Sequence, residues 1–321
     1  MKYRQLGNSD LNISEVSLGC WTMGGLNWVN GVPNGWANVD ENEIQAAVDY
    51  ALDHGVNHFD NADVYGNGRA ERMLARVLGK RNKDVIIATK VGWFPGTAEH
   101  AYEPLHIRRQ CEQSLINLKR DYIDLYYFHH GNFGDNWEYL DDAVEVMFRL
   151  KEEGKIRHIG QSAYSHDHFT KLIPVVKPAA CQSSANYTDD KFVADGTPTT
   201  DAMKANNCSF IAFFPILQGI LLGKYSKDNP PKFEAGDHRA NAPRFKKEFL
   251  EELEPKLEKI KTKFGASPLE LGRAAIGYLL YHNVVGAVIT GFRNQEQVNM
   301  NIQMAENPIT EDEYKFIKSL F

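Results

Sequence analysis

The chain has 321 residues, 43% of them hydrophobic, 24% charged and 11% aromatic, with a formal net charge of -6. That balance supports a large buried core and excludes an intrinsically disordered chain. The acidic surplus weighs against nucleic acid and anionic membrane as principal partners. Four cysteines, Cys20, Cys111, Cys181 and Cys208, show no C-x-x-C spacing. They read as reduced thiols of a cytosolic protein rather than a disulfide framework or a zinc site. Residues 1–14 hold no apolar signal core, and no run of about 18 apolar residues is present to cross a bilayer. The expectation is a cytoplasmic protein.

In chain order, residues 2–16 predict a hairpin around the turn Gly7-Asn8-Ser9-Asp10. An apolar strand follows over Val16–Leu18 and ends at Gly19. The next stretch is a long irregular loop rich in Gly, Asn and Trp (Trp21, Trp28, Trp36), and loops of that length are usually functional. Helical spacing then covers 41–52, strand-like residues 56–59, helix 69–78, and a strand 85–88 that runs into Thr89-Lys90. Pro104 opens a helix to Leu118, a tolerated first position for proline. Strand 123–128 ends in His129, helix 141–153 follows, and then strand 156–160. Helix 166–176 is expected to be disturbed at Pro174, and 179–182 is a weak strand. Helix 199–206, strand 210–214, a long segment 215–265 without assigned structure, helix 268–281, strand 284–289 and helices 296–304 and 311–320 complete the chain.

The strand tips number eight: Gly19, Asp60, Lys90, His129, Ser162, Gln182, Phe213 and Thr290. Mostly continuous apolar strands alternating with helices imply a closed parallel barrel, so the expected fold is a (β/α)8 TIM barrel. It carries an N-terminal β-hairpin and an extra C-terminal helix, in one domain over 1–321. An open doubly wound sheet would need a glycine fingerprint after its first strand. Gly66-x-Gly68 is the nearest match, with Glu71 in place of the third glycine.

In such a barrel the chemistry sits at the C-terminal strand ends. Asp60, Lys90 and His129 end the second, third and fourth strands, and Tyr65 lies on the second loop. A lysine beside a tyrosine favours the phenolate, and a carboxylate paired with the lysine fixes it and keeps it charged. A histidine can donate to a carbonyl oxygen or move its proton. Singly, a strand-end Asp is more often a cap and a lone Tyr more often packing. Four such groups on one rim suit protonation of a carbonyl that is gaining a hydride. Of the adjacent pair His129 and His130, one is expected to be structural. Trp21, Trp93, Phe94 and Trp137 are candidate walls of a substrate pocket, with loop anchoring as the plain alternative.

The segments GVNHFDNADVYGNG (55–68), Ala88-Thr89-Lys90, DYIDLYYFH (121–129), GKIRHIGQS (154–162), PILQGILLGKY (215–225) and ITGFRNQEQVNMN (289–301) resemble, in this order, signature segments of the aldo-keto reductases. The resemblance spans nearly the whole chain. It implies hydride transfer between NADP(H), with NAD(H) as the alternative, and an aldehyde, ketone or corresponding alcohol, sugars included. It implies Tyr65 as general acid/base, Lys90 as depressor of its pKa, Asp60 as the lysine's partner and His129 as orienter of the carbonyl. Ser162 and Gln182 fall where the nicotinamide carboxamide is held, and Phe213 where a ring stacks on the nicotinamide. Gly219, Leu221 and Lys224 fall on the pyrophosphate loop, Arg293 at the 2′-phosphate, and Gln297 and Asn301 at the adenosine. The chain departs from the commoner pattern at Ala163, Phe214, Thr290 and Met300. The expected partner is a small carbonyl compound, with no metal.

Two other readings compete. One is the same barrel as a catalytically slow, nucleotide-sensing regulatory subunit. The other is a metal-dependent hydrolase using Asp60, Asp63, His129 and His130. The latter lacks an H-x-H at the first strand tip, where Gly19-Cys20-Trp21 stands, and Lys90 would repel its cation.

Overall fold

A computed structural model describes residues 1–29 and 31–321. Strands β1 (Tyr3–Gln5) and β2 (Asn12–Ser14) form the expected antiparallel hairpin. Eight parallel strands then close a barrel: β3 (Val16–Gly19), β6 (His58–Asp60), β7 (Ile86–Val91), β8 (Ile123–Phe128), β9 (Ile156–Ser162), β10 (Ala180–Ser184), β11 (Ser209–Phe213) and β12 (Val285–Gly291), which returns to β3. A small hairpin of β4 (Trp28–Val29) and β5 (Val32–Pro33) decorates the loop after β3. The protein is thus a (β/α)8 barrel. All six residues of β8 are buried, as a strand covered on both faces requires.

The helices are α1 (Glu41–Asp53), α2 (Arg69–Leu78), α3 (Pro104–Leu118), α4 (Leu140–Glu152), α5 (His166–Val176), α6 (Pro198–Ala205), α7 (Lys247–Phe264), α8 (Pro268–Tyr281), α9 (Gln295–Glu306) and α10 (Glu311–Lys318). Their starts are chemically marked. The Asp40 carboxylate accepts from the amides of Asn42 and Glu43, and Ser267 and Glu270 form a capping box at α8. None of the helices among the described residues is long and apolar enough to cross a membrane.

Two expectations are corrected. Residues 215–265 contain α7, whose buried Leu250, Leu253, Leu257, Ile260 and Phe264 recur at helical spacing. Pro255 is tolerated inside it because it sits on the exposed face. Helix α5 likewise runs through Pro174 to Val176 rather than breaking there, again with the proline exposed.

The hairpin residues Leu6, Leu11 and Ile13 pack with Leu125, Tyr127, Ile211 and Ala287, plugging the end of the barrel opposite the C-terminal strand ends. Packing inside is tight enough to dictate a glycine. A Cβ on Gly160 would lie 2.4 Å from ring carbons of the fully buried Tyr127, its partner in register. Gly160→Ala should therefore destabilise the protein by roughly 1–3 kcal/mol through overpacking. Denaturant unfolding measures this, and adding Tyr127→Leu should restore part of the loss.

Candidate active site

Asp60 ends β6, Lys90 is the penultimate residue of β7, and His129 follows β8 with its amide bonded to the Val91 carbonyl at 2.8 Å. Tyr65 is carried on the turn between β6 and α2. That turn lies so close to the loop after β3 that a Cβ on Gly66 would sit 2.3 Å from the Gly24 carbonyl oxygen. Gly66 also has a positive φ of 59°, so both space and backbone favour glycine.

The Lys90 ammonium is fully buried and donates to Asp60 Oδ1 at 2.5 Å and to the Asn61 carbonyl at 2.6 Å. The second Asp60 oxygen accepts from Gln182 Nε2 at 2.8 Å. Lys90 Nζ lies 5.3 Å from the centre of the Tyr65 ring, and the Tyr65 and His129 rings meet edge to face at 6.0 Å. The four predicted groups converge.

The lowering of the Tyr65 pKa expected from Lys90 is opposed by burial. Burial, followed by the Asp60 carboxylate, pushes the Tyr65 phenol well above the ordinary tyrosine range. The Lys90 ammonium near the Tyr65 ring is itself held by Asp60. Burial, then Lys90 and His130, push His129 well below the ordinary histidine range, leaving a neutral ring whose buried Nδ1 has no partner. His130 is the structural member of the pair, with Nε2 bonded to the Gly92 carbonyl at 2.8 Å and its amide donating to Tyr102 Oη at 2.9 Å.

These groups open on a trough of about 1230 Å³ along the rim. Its walls include Trp21, Trp93, Tyr164, Ser162, Gln182, Phe213, Gly219, Lys224, Arg293, Gln297 and Asn301. Trp21 stacks against Tyr65 at 5.9 Å, and Trp93 meets His129 edge-on at 6.1 Å. Three expected residues do not line the trough. Phe94 is exposed outside the lining and accepts at its carbonyl from His106 at 2.7 Å. Leu221 is buried in the core beneath the loop, and its amide already donates to the Ile216 carbonyl. Trp137 also lies elsewhere, packed on Phe133 and His168.

The trough fits a nicotinamide dinucleotide. The buried Ser162 hydroxyl in its wall has no hydrogen-bond partner, as a carboxamide-holding group would before binding. Gln182 gives one amide N–H to Asp60 and keeps its Oε1 and second N–H, and Ala163 has no side-chain donor. Phe213 presents a half-buried ring in the wall, enough for stacking. Arg293 is half-buried near the start of α9 and has no carboxylate within 4.0 Å among the described residues, although its guanidinium lies 5.3 Å from the Trp36 ring. Gln297 Oε1 accepts from the Arg293 amide at 2.9 Å, which leaves its Nε2 donors free of that bond. Asn301 Nδ2 similarly bonds the Gly291 carbonyl at 3.1 Å.

Sequence reasoning missed the segment that covers the trough. After β11 the chain returns over the rim, where the His238 amide bonds the Gly35 carbonyl at 3.1 Å. Arg239 lies over the Trp36 ring at 4.4 Å, and Arg244 over the Phe214 ring at 4.8 Å. The only signal available was a run of cations and aromatics far from any strand tip.

The fold and rim define a barrel oxidoreductase, and comparison gives the family. The chain belongs to the aldo/keto reductase family, whose model matches residues 15–321, a family of oxidoreductases acting on carbonyl and alcohol groups. It is 29% identical over 324 residues to the uncharacterized oxidoreductase YqkF of Bacillus subtilis, covering 99% of this chain and 96% of that one. It is 27% identical to a probable voltage-gated potassium channel subunit beta of Arabidopsis thaliana, covering 95% and 92%. It is 31% identical to the aldo-keto reductase yakc [NADP(+)] of Schizosaccharomyces pombe, covering 86% and 78%. The holo form of aldo-keto reductase AKR11C1 from Bacillus halodurans superimposes with a TM-score of 0.77 at 27% identity, covering 100% and 96%.

Proposed function

We propose that the protein is a cytoplasmic NADP(H)-dependent reductase of aldehydes or ketones, sugars included, with Tyr65 as its general acid. The observation that carries this reading is the convergence of Tyr65 and His129 on the buried Asp60–Lys90 pair where these residues meet the trough. NADP over NAD is supported by the uncompensated Arg293 cation, which suits a 2′-phosphate, and by the NADP(+) in the name of the S. pombe relative.

When bound, NADPH supplies the hydride that reduces the carbonyl carbon. Ser162 would hold its carboxamide, Phe213 its ring, Lys224 its pyrophosphate and Arg293 its 2′-phosphate. His129 orients the substrate by donating one ring N–H to the carbonyl oxygen. As negative charge develops on that oxygen, Tyr65 Oη gives it a proton, and the product is the alcohol. Lys90, fixed by Asp60 and the Asn61 carbonyl, then stabilises the transient phenolate until solvent returns a proton. Trp21, Trp93 and Tyr164 keep water from the reacting face and offer flat or CH-rich substrates a surface.

Purified protein with NADPH and a panel of aldehydes should show aldehyde-dependent loss of nicotinamide absorbance, and no loss with any carbonyl would sink the reading. A pH profile tests the proton donor. A phenol raised above about pH 10 stays protonated, and a histidine lowered from about 6.5 stays neutral, so reductive kcat/KM should be flat between about pH 7 and 9. It should fall only at higher pH, as Tyr65 ionises. A fall through neutral pH would contradict this assignment.

A second reading, the nucleotide-sensing subunit, is supported by the channel-subunit relative. The complete set of four groups favours chemistry over it.

A further inference from the structure

We propose that Tyr102 is a positioning residue for the reduction, whose hydroxyl fixes the peptide plane between His129 and His130 and so aims the His129 ring at the substrate carbonyl. The inference rests on the functional reading above. The His129 ring makes no hydrogen bond of its own among the described residues, and its buried Nδ1 is without a partner. Its direction therefore follows from its backbone, with the Tyr65 and Trp93 rings edge-on at 6.0 and 6.1 Å.

Two planar peptide units meet at the His129 α-carbon, and holding both planes sets where the side chain points. The first is held through the His129 amide, which donates to the Val91 carbonyl at 2.8 Å. The second is held by Tyr102, because the His130 amide belongs to that unit and donates to Tyr102 Oη at 2.9 Å. Tyr102 Oη in turn donates to the His130 carbonyl at 2.8 Å. That carbonyl has another donor, Gln161 Nε2 at 3.2 Å. The amide meets no second acceptor among the described residues.

Tyr102 lies on the loop between β7 and α3, so one side chain ties the loop that carries Trp93 to the tip of β8. Its ring is fully buried, with Phe128 at 5.0 Å and Phe133 at 4.4 Å. Burial pushes its phenol well above the ordinary tyrosine range, so the hydroxyl keeps the proton that it donates. Gly92 leaves room for that hydroxyl, since a Cβ there would lie 2.7 Å from Oη. The Gly92 φ of 150° favours glycine as well. The Asn132 amide donates to His130 Nδ1 at 3.2 Å, which puts the ring proton on Nε2, facing the Gly92 carbonyl.

The test compares Tyr102→Phe in the wild-type and His129→Gln backgrounds. The readout is the single-turnover rate with NADPH and a saturating level of the aldehyde that wild type reduces fastest. Tyr102→Phe keeps the ring and removes both bonds. It should lower the rate by about ten- to hundredfold, the scale on which small misplacements act. In the His129→Gln background the same change should cost less than about twofold, because the group it positions is gone. NADPH affinity, read by tryptophan fluorescence, should stay within about twofold of wild type. Gly92→Ala, which keeps the hydroxyl but crowds it, should give the same pattern, and it decides the matter if Tyr102→Phe loses NADPH affinity. An unchanged rate overturns the proposal. So does an equal fall in both backgrounds, which would make Tyr102 a purely structural residue. Wild type that reduces no aldehyde, or His129→Gln with the wild-type rate, would instead defeat the functional reading itself.

Discussion

Tyr65→Phe should lower the rate of carbonyl reduction by about 10²–10⁴, the usual range for removal of a general acid. NADPH affinity should stay within about twofold of wild type. The substitution removes one oxygen and keeps the ring that stacks on Trp21 at 5.9 Å, so the loop should hold its place. No other hydroxyl can replace it easily: Tyr164 is half-exposed at the outer wall, and the Ser162 hydroxyl is the one proposed to hold the carboxamide. The relevant comparison is single-turnover rate against coenzyme affinity in the same preparation. Wild-type turnover in the variant would remove Tyr65 from the mechanism.

The second large effect is expected at Lys90. Its ammonium is fully buried and Asp60 is 3% exposed, so this is an ion pair out of water. Lys90→Met would leave the Asp60 carboxylate with the Gln182 amide alone. Breaking a buried pair in this way costs about 3–5 kcal/mol, mostly from the charge left behind. Adding Asp60→Asn removes that charge, and the double variant should recover most of the stability while remaining inactive. Urea denaturation of wild type, single and double variants measures this. If the double variant is no more stable than Lys90→Met, the cost comes from packing rather than charge.

Much of this site was legible because the βα alternation fixes where a strand ends. Asp60, Lys90 and His129 are separated by whole βα units in the chain, yet each is forced onto one rim by a closed barrel. Residues whose position depends on side-chain direction were less legible. Trp93 faces the trough and Phe94, its neighbour, does not, because adjacent residues diverge. Leu221 shares a turn with Gly219 and Lys224 but turns into the core.

The electrostatics around Tyr65 were less legible for a related reason. Spacing shows that a lysine is near, whereas the sign of the shift depends on burial and on Asp60 already facing that lysine. Helix α7 was hidden by Pro255 and a strongly charged surface, although its buried leucines kept the helical period. Arg239 and Arg244 stand between secondary structure elements, where no periodic pattern marks them. Only the folded chain shows them lying over the trough.

The most direct measurement of the central claim is a single turnover of wild-type protein with stoichiometric NADPH and an excess of aldehyde. The account predicts loss of nicotinamide absorbance on addition of aldehyde, with one alcohol formed per NADPH consumed and the process strongly slowed in Tyr65→Phe. Bound NADPH whose absorbance persists with every aldehyde offered would contradict it, and would favour a nucleotide-sensing barrel instead.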